Sequence, residues 1–252
     1  PDYPEGMDDR NLEETRQVLV NEMRKKKPNG SLIKKEMDVT FALRRKEVVK
    51  DEPAISQILN RWPALFTENQ IFCEFTRVAG KNLRDGFFDA LDGLSPSLMD
   101  LFRKKKGLAG QILAGLLHQS KATEPTDIRC LCLRGLPVVL GDDSSPFFKT
   151  SSVPADQDVY SQTTVGILCI DEESLHLKPA RVGIILEGSV VMDDLPNLPQ
   201  AFCLPFGLIY TLHLDYPKYM KNTFLFVQHV MLNLGKSELP PKIQPVKNQL
   251  SV

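Results

Sequence analysis

The sequence predicts an α+β fold that is mostly helical: an N-terminal helical array, then a three-stranded antiparallel meander packed with two C-terminal helices. Three observations predict it. Apolar residues recur at helical spacing through the first 140 positions. β-branched residues then gather in three short runs between 163 and 192, set apart by turn residues. Past position 196 the helical pattern returns, punctuated by prolines. The regions are 1–140, helical; 141–158, a connecting loop; 159–235, a small α+β region; and 236–252, an irregular tail.

Residues 8–27 read as a charged helix with Leu12, Leu19 and Met23 close to one face and Val18 beside them. Pro28, Asn29 and Gly30 form a breaker, and Ser31 can cap a second helix over 32–50 with Ile33, Met37 and Phe41 at spacing four. Asp51 or Glu52 before Pro53 marks a short helix carrying Ile55, Ile58, Leu59 and Trp62, which Pro63 stops. Thr67 and Gln70 have capping-box spacing ahead of Ile71, Phe72, Phe75 and Val78, and Gly80 is placed to end that helix. One helix follows through Leu83, Phe87, Phe88 and Leu91. Ser95-Pro96 opens the next, through Leu98 and Phe102. Gly107 precedes an apolar run with Leu108, Ile112 and Leu116, and 126–140 holds one more helix up to Pro137.

The strands read as 163–170, 181–186 and 189–192, with Gly188 in the turn between the last two and 171–180 joining the first two. Pro196 or Pro199 opens an apolar helix at 201–214, and Pro217 opens the last, with Phe224, Val227 and Met231. From Lys236 on, three prolines among polar residues predict an irregular extension.

The charge is balanced, 31 Lys+Arg against 32 Asp+Glu, so no global excess points to nucleic acid. Hydrophobic residues at 42% and charged residues at 25% exclude collagen-like, disordered and disulfide-rich miniature classes. Cys73, Cys130, Cys132, Cys169 and Cys203 are odd in number and sit in apolar stretches, as reduced thiols do. An intracellular location, cytoplasm or nucleus, is therefore expected. No stretch is apolar enough to span a membrane, and the acidic N-terminus does not resemble a signal peptide.

Locally the charge is uneven. Residues 1–22 carry 7 acidic and 2 basic side chains, residues 24–46 carry 9 basic and 2 acidic. The basic set is Arg24, Lys25, Lys26, Lys27, Lys34, Lys35, Arg44, Arg45 and Lys46, a candidate patch for phosphate. The two helices are expected to pair about the turn, with Asp8, Asp9, Glu13, Glu14 and Glu22 neutralising it. A second run, Arg103-Lys104-Lys105-Lys106, ends a helix, where cations complement the dipole.

No catalytic, cofactor-binding or metal-ligating constellation is found. His118, His176, His213 and His229 lack zinc spacing, and Cys130-x-Cys132 would point to two helix faces. There is no GxSxG and no phosphate loop. The pairs Asp142-Asp143 and Asp193-Asp194 adjoin turn residues, which explain them without a cation. The structural anchors are Trp62, Pro63, Leu65, Phe66, Phe75, Pro196 and Pro217, which set corners and fill a core.

The stretch "MDVTFALRRKEVVKDEPAISQILNRWPALFTENQIFCEFTRVAGKNLRDGFFDALD" resembles a group of vertebrate, mostly fish, proteins: the sterile alpha motif domain-containing protein 3-like family. The features that carry it are Phe41-x-x-Arg44-Arg45, Arg61-Trp62-Pro63-Ala64-Leu65-Phe66 and Phe75. It continues in "LRGLPVVLGDDSSPFFKT", "TTVGILCI" and the run from Val190 to Leu234, in all about four fifths of the chain. No part matches the sterile alpha motif itself, so the resemblance is to the family's C-terminal region. It implies a partner-binding role and supplies no catalytic residue. The function expected is a non-enzymatic interaction or scaffold module with a protein partner, no cofactor and no membrane. The alternatives are a nucleic-acid-associated protein using 24–46 and an enzyme of unrecognised type.

Overall fold

The computed structural model describes residues 1–119, 124–153, 156–170, 179, 181–235 and 238–250. Among these are twelve α-helices and one four-stranded mixed sheet, in two compact units. The first is Pro1–Gly80 with Gly207–Leu214; the second is Lys81–Phe206 with Asp215–Val252.

In the first unit, α1 (Asp9–Met23) starts where Asp8 and Asn11 cap each other, side chain to backbone in both directions, at 2.8 and 3.2 Å. It buries Leu12, Leu19 and Val20 together with Arg16. The Glu22 carboxylate accepts from Asn29 N at 2.8 Å, and Asn29 in turn caps α2 (Gly30–Val39) by accepting from Leu32 N. α1 and α2 pack against each other. The single helix expected over 32–50 is three pieces: α2, α3 (Phe41–Lys46) and a widened π turn at Glu47–Asp51. The bend falls at buried Thr40, whose hydroxyl donates to Glu36 O at 2.7 Å; such back-bonding to a carbonyl four residues earlier bends helices.

The π turn ends at Glu52, in the left-handed region at φ 43°. α4 (Ile55–Arg61) starts beyond Pro53, with the Gln57 side chain accepting from Ala54 N at 3.1 Å. Trp62 leads into a 3-10 turn, Pro63–Phe66, with proline at its first position. Before α5 (Glu68–Ala79) the expected capping box does not form, because the Thr67 hydroxyl turns back to Ala64 O. Gly80, at φ 69°, follows α5. Leu12, Met37, Ile71 and Phe75 are fully buried, and the Phe75 ring lies 5.2 Å from that of Tyr210 in the 207–214 segment.

In the second unit, α6 (Leu83–Lys104) runs unbroken through Pro96, where two helices were expected. Its buried residues Leu83, Phe87, Leu91, Leu94, Leu98 and Phe102 keep one phase across the proline. A single shared face outweighs the one lost backbone hydrogen bond. α7 (Gly107–Gln119) and α8 (Pro125–Val139) pack on α6 and on each other.

The sheet has the order β1-β2-β3-β4, so the expected three-stranded antiparallel meander is one strand short. The extra strand, β1 (Phe148–Ser151), pairs parallel with β2 (Val165–Ile170), Phe148 opposite Ile167. It lies within the segment read as a connecting loop, 141–158, which also holds the start of the short α9 (Gln157–Tyr160). A polar four-residue strand whose partner lies beyond the next helix leaves no local pattern. β3 (Arg181–Leu186) and β4 (Ser189–Leu195) continue antiparallel as expected. Glu187 and Gly188, both at positive φ, make their turn, and a Cβ on Gly188 would stand 2.4 Å from Ser161 O. Of the segment expected to join the first two meander strands, residues 171–178, His176 among them, and 180 lie outside the described residues.

α10 (Leu198–Thr211) is capped by Asn197, whose side chain accepts from Gln200 N at 2.9 Å. Pro217 leads not into one helix but into a 3-10 turn, Lys218–Met220, then α11 (Lys221–Phe226) and a π turn, Val227–Met231. Phe147 packs edge-on against Phe202 of α10 and Phe224 of α11, at 5.6 and 5.7 Å. The Tyr219 hydroxyl donates to Val165 O at 2.5 Å, fixing this segment to the start of β2. The tail expected to be irregular contains α12 (Ile243–Gln249), because Ile243, Val246 and Leu250 recur at helical spacing and are buried.

Candidate interaction surface

The anchors are distributed unequally. Trp62, Leu65, Phe66 and Phe75 are buried in the first unit, with Pro63 half-buried at the corner. In the second unit Pro217 is buried, whereas Pro196 is exposed in the turn before α10.

Around Trp62 the first unit builds a polar cluster. A buried indole needs an acceptor, and Trp62 Nε1 donates to Glu47 Oε2 at 2.7 Å. Arg61 donates to Glu47 at 2.5 Å and to Glu13 at 3.0 Å, so one guanidinium ties α1, the π turn and α4 together. Hydrogen bonds from Arg16, helped by Arg61, hold the Glu13 carboxyl down at about 2. Hydrogen bonding to Glu47 and Glu13 raises the Arg61 pKa above its ordinary value.

A cleft of about 480 Å³ opens beside this cluster. Val48, Ile58 and Trp62, all buried, with half-buried Pro53, give it an apolar floor; Glu47, Asp51, Gln57, Asn60 and Arg61 give it a polar rim. The widened turn supplies Glu47, Val48 and Asp51, and π turns recur at functional sites. Apart from Trp62, none of these lining residues is a site candidate in the sequence; Asp51, Pro53, Ile58 and Arg61 read there only as helix-boundary, helix or motif residues. The signal present was indirect: a buried tryptophan demands a nearby acceptor.

The candidate basic patch is not all at the surface. Arg44 is 1% exposed and belongs to no surface. Its guanidinium is paired with Glu74 through Nε and, at 2.7 Å, Nη2; it also donates to Met37 O and Thr40 Oγ1. The half-buried Arg45 donates to Thr211 O at 2.6 Å. Acidic side chains of residues 1–22 reach only Lys25, through Glu22, and Lys46, through Asp9. The rest of that acidity goes to α1 and Arg61: Glu13 to Arg16 and Arg61, Glu14 to Arg10, and Asp8 to the α1 cap. Arg24, Lys26, Lys27, Lys34 and Lys35 remain exposed.

The other candidates resolve into structure. Asp142 accepts from Thr223 N and Oγ1, both at 2.7 Å, at the start of α11. Asp143 accepts from Ser145, and Asp193 and Asp194 pair with Arg181. Cys130 and Cys132 are both buried on α8, and burial pushes each thiol up to about 11. Among the described residues no group of His, Cys, Asp or Glu is placed to hold a metal ion, and no helix is long and apolar enough to cross a membrane.

Residues 12–67, which contain the whole cleft, match the family model described as sterile alpha motif domain-containing protein 3, helical domain. No curated protein and no solved structure matches the chain.

Proposed function

We propose that this chain, whose residues 12–67 match the helical domain of sterile alpha motif domain-containing protein 3, is a non-enzymatic interaction module. Its helical unit takes a segment of a partner protein into the cleft at Trp62. The observation that carries the reading is the cleft's anatomy inside the matched segment: an apolar floor with a polar rim, the composition of protein-recognition sites. The rim also selects. Arg61 is occupied by Glu47 and Glu13, whereas Asp51 is exposed and joins no ion pair among the described residues. The segment that fits carries an apolar anchor next to a lysine or arginine.

The test is affinity capture with the full chain against Asp51→Lys/Asn60→Lys, both at exposed positions. The reading expects a protein whose recovery falls about tenfold with the variant, as loss of a few favourable contacts gives. Recovery of the same proteins by both forms would overturn it.

A second reading, nucleic-acid association, is favoured by Arg24, Lys26, Lys27, Lys34 and Lys35, which are exposed and outside any ion pair among the described residues. It expects binding to random duplex with a log–log salt slope of about −0.9 per phosphate contacted. A flat salt response removes it.

A further inference from the structure

The cleft at Trp62 opens at the end of a helix. α3 and the π turn run on without a break from Phe41 to Asp51, and the last turn of that run gives Glu47, Val48 and Asp51 to the cleft's lining. The carbonyls of a last helical turn need donors from the residues that follow. Here two such donors are missing. Pro53 has no N–H, and Ala54 N donates to the Gln57 side chain at 3.1 Å. In a continuing π ladder those two positions would serve the carbonyls of Val48 and Val49, which gain nothing from either.

The negative end of the helix therefore lies at the cleft beside an exposed carboxylate, Asp51. The chain's own cations do not answer it. Lys50, on the same turn, does not line the cleft and joins no hydrogen bond or ion pair among the described residues. Lys46 Nζ turns to Tyr3 and Asp9, at 3.4 and 3.9 Å. Arg61 does line the cleft but is held by Glu47 and Glu13, at 2.5 and 3.0 Å.

Resting on the interaction-module reading and narrowing it, we infer that the partner's basic residue is a lysine with a free ammonium group. Its stem lies on Val48, Pro53 and Ile58, and its head meets Asp51 and the carbonyls of the helix end. A lysine stem covers apolar surface while its charged head stays among polar groups. The ammonium is a compact charge whose three N–H groups diverge, which suits a carboxylate and separate backbone carbonyls. A guanidinium is a planar fork matched to the two oxygens of one carboxylate, and its remaining donors fit poorly to carbonyls set around a helix end.

The experiment pans a display library of random peptides, about 15 residues long, on the full chain and keeps those that lose binding to Asp51→Lys/Asn60→Lys. The enriched peptides should share a lysine beside an apolar residue. By fluorescence anisotropy, acetyl-lysine at that position should bind at least about tenfold more weakly, and arginine about threefold or more. The lysine peptide should weaken by about tenfold in Asp51→Asn. Arginine accepted as well as lysine, or equal binding of the acetylated and free forms, would overturn the inference and leave the interaction-module reading standing. Enrichment of no cleft-dependent peptide would overturn both. Spermine that binds more tightly than any enriched peptide, and is lost in Asp51→Asn, would make the occupant a free polyamine and overturn the inference as well.

Discussion

Replacing Glu74 with leucine should unfold much of the stability of the helical unit, and the size of the effect follows from Arg44. Arg44 is 1% exposed and makes two of its hydrogen bonds to Glu74. Its others go to Met37 O at 3.0 Å and Thr40 Oγ1 at 3.1 Å, neither of which carries a compensating charge. Removing one member of a buried ion pair leaves the other charge desolvated, at a cost of about 3–5 kcal/mol. That is a large part of the roughly 5–15 kcal/mol that holds an ordinary domain. The double variant Arg44→Met/Glu74→Leu removes both charges and should return to within about 2 kcal/mol of the wild type. Arg77, which also donates to Glu74, keeps Asp38 at 2.8 Å in either variant. Urea denaturation followed through Trp62, the single tryptophan of the chain, reads this unit directly. A cost below about 1 kcal/mol for Glu74→Leu, or a double variant no better than the single one, would refute the account of a charge stranded in the core.

Trp62→Phe keeps the ring volume in part but leaves Glu47 without the indole donor, and should cost about 1–3 kcal/mol in the same urea assay. Glu13, held at about 2 against an ordinary 4.5, contributes stability present above the unfolded-state value and lost as pH falls toward 2. Its side chain is 47% exposed, so screening leaves about 1 kcal/mol or less, and Glu13→Gln should differ from wild type by that amount at pH 6 and not at pH 2. Gly135→Ala would place a Cβ 2.5 Å from the Phe102 ring, so calorimetry should show a loss of about 1–3 kcal/mol. That loss comes in spite of the roughly 1 kcal/mol that alanine adds to a helix. A chromogenic thiol reagent at pH 8 should react quickly with half-buried Cys73 alone, and with all five cysteines only after unfolding.

Where the sequence read well, burial and periodicity coincide. The α1, α5 and β3 assignments follow from stripes that each element can satisfy locally: Leu12 with Leu19, Ile71 with Phe75, and the run from Val182 to Leu186. Where it read badly, a local rule met a longer-range one. Pro96 is a helix starter by local preference, yet the phase of Leu91, Leu94 and Leu98 passes through it without a shift. That phase was visible, and it outranks the proline because it counts six buried side chains against one hydrogen bond. β1 had no such signal. Its sequence is Phe-Lys-Thr-Ser, and only the parallel partner at 167–170 makes it a strand.

Arg44 was misplaced in the basic patch for a different reason: charge was counted without asking which face carried it. Thr40, Arg44 and Val48 stand four apart, and all three are buried, so Arg44 occupies the same stripe as the apolar residues around it. On α5 the same holds for Glu74, which sits beside Phe75 and four residues after Gln70, all buried. A cation on one buried stripe and an anion on another are each prohibitive alone, since a core charge must be paired. In the structure Arg44 and Glu74 are each other's partner, whereas Arg16 and Glu22, also buried in this unit, pair with Glu13 and Lys25. The same logic explains why the cleft was illegible. Glu47, Asp51, Gln57 and Asn60 break no rule where they stand; they become a rim only because the π turn at Glu47–Asp51 swings its residues toward α4 and Trp62. Buried charges announce themselves by violating a pattern, whereas a recognition surface made of permitted residues is created by backbone geometry that no residue in it requires.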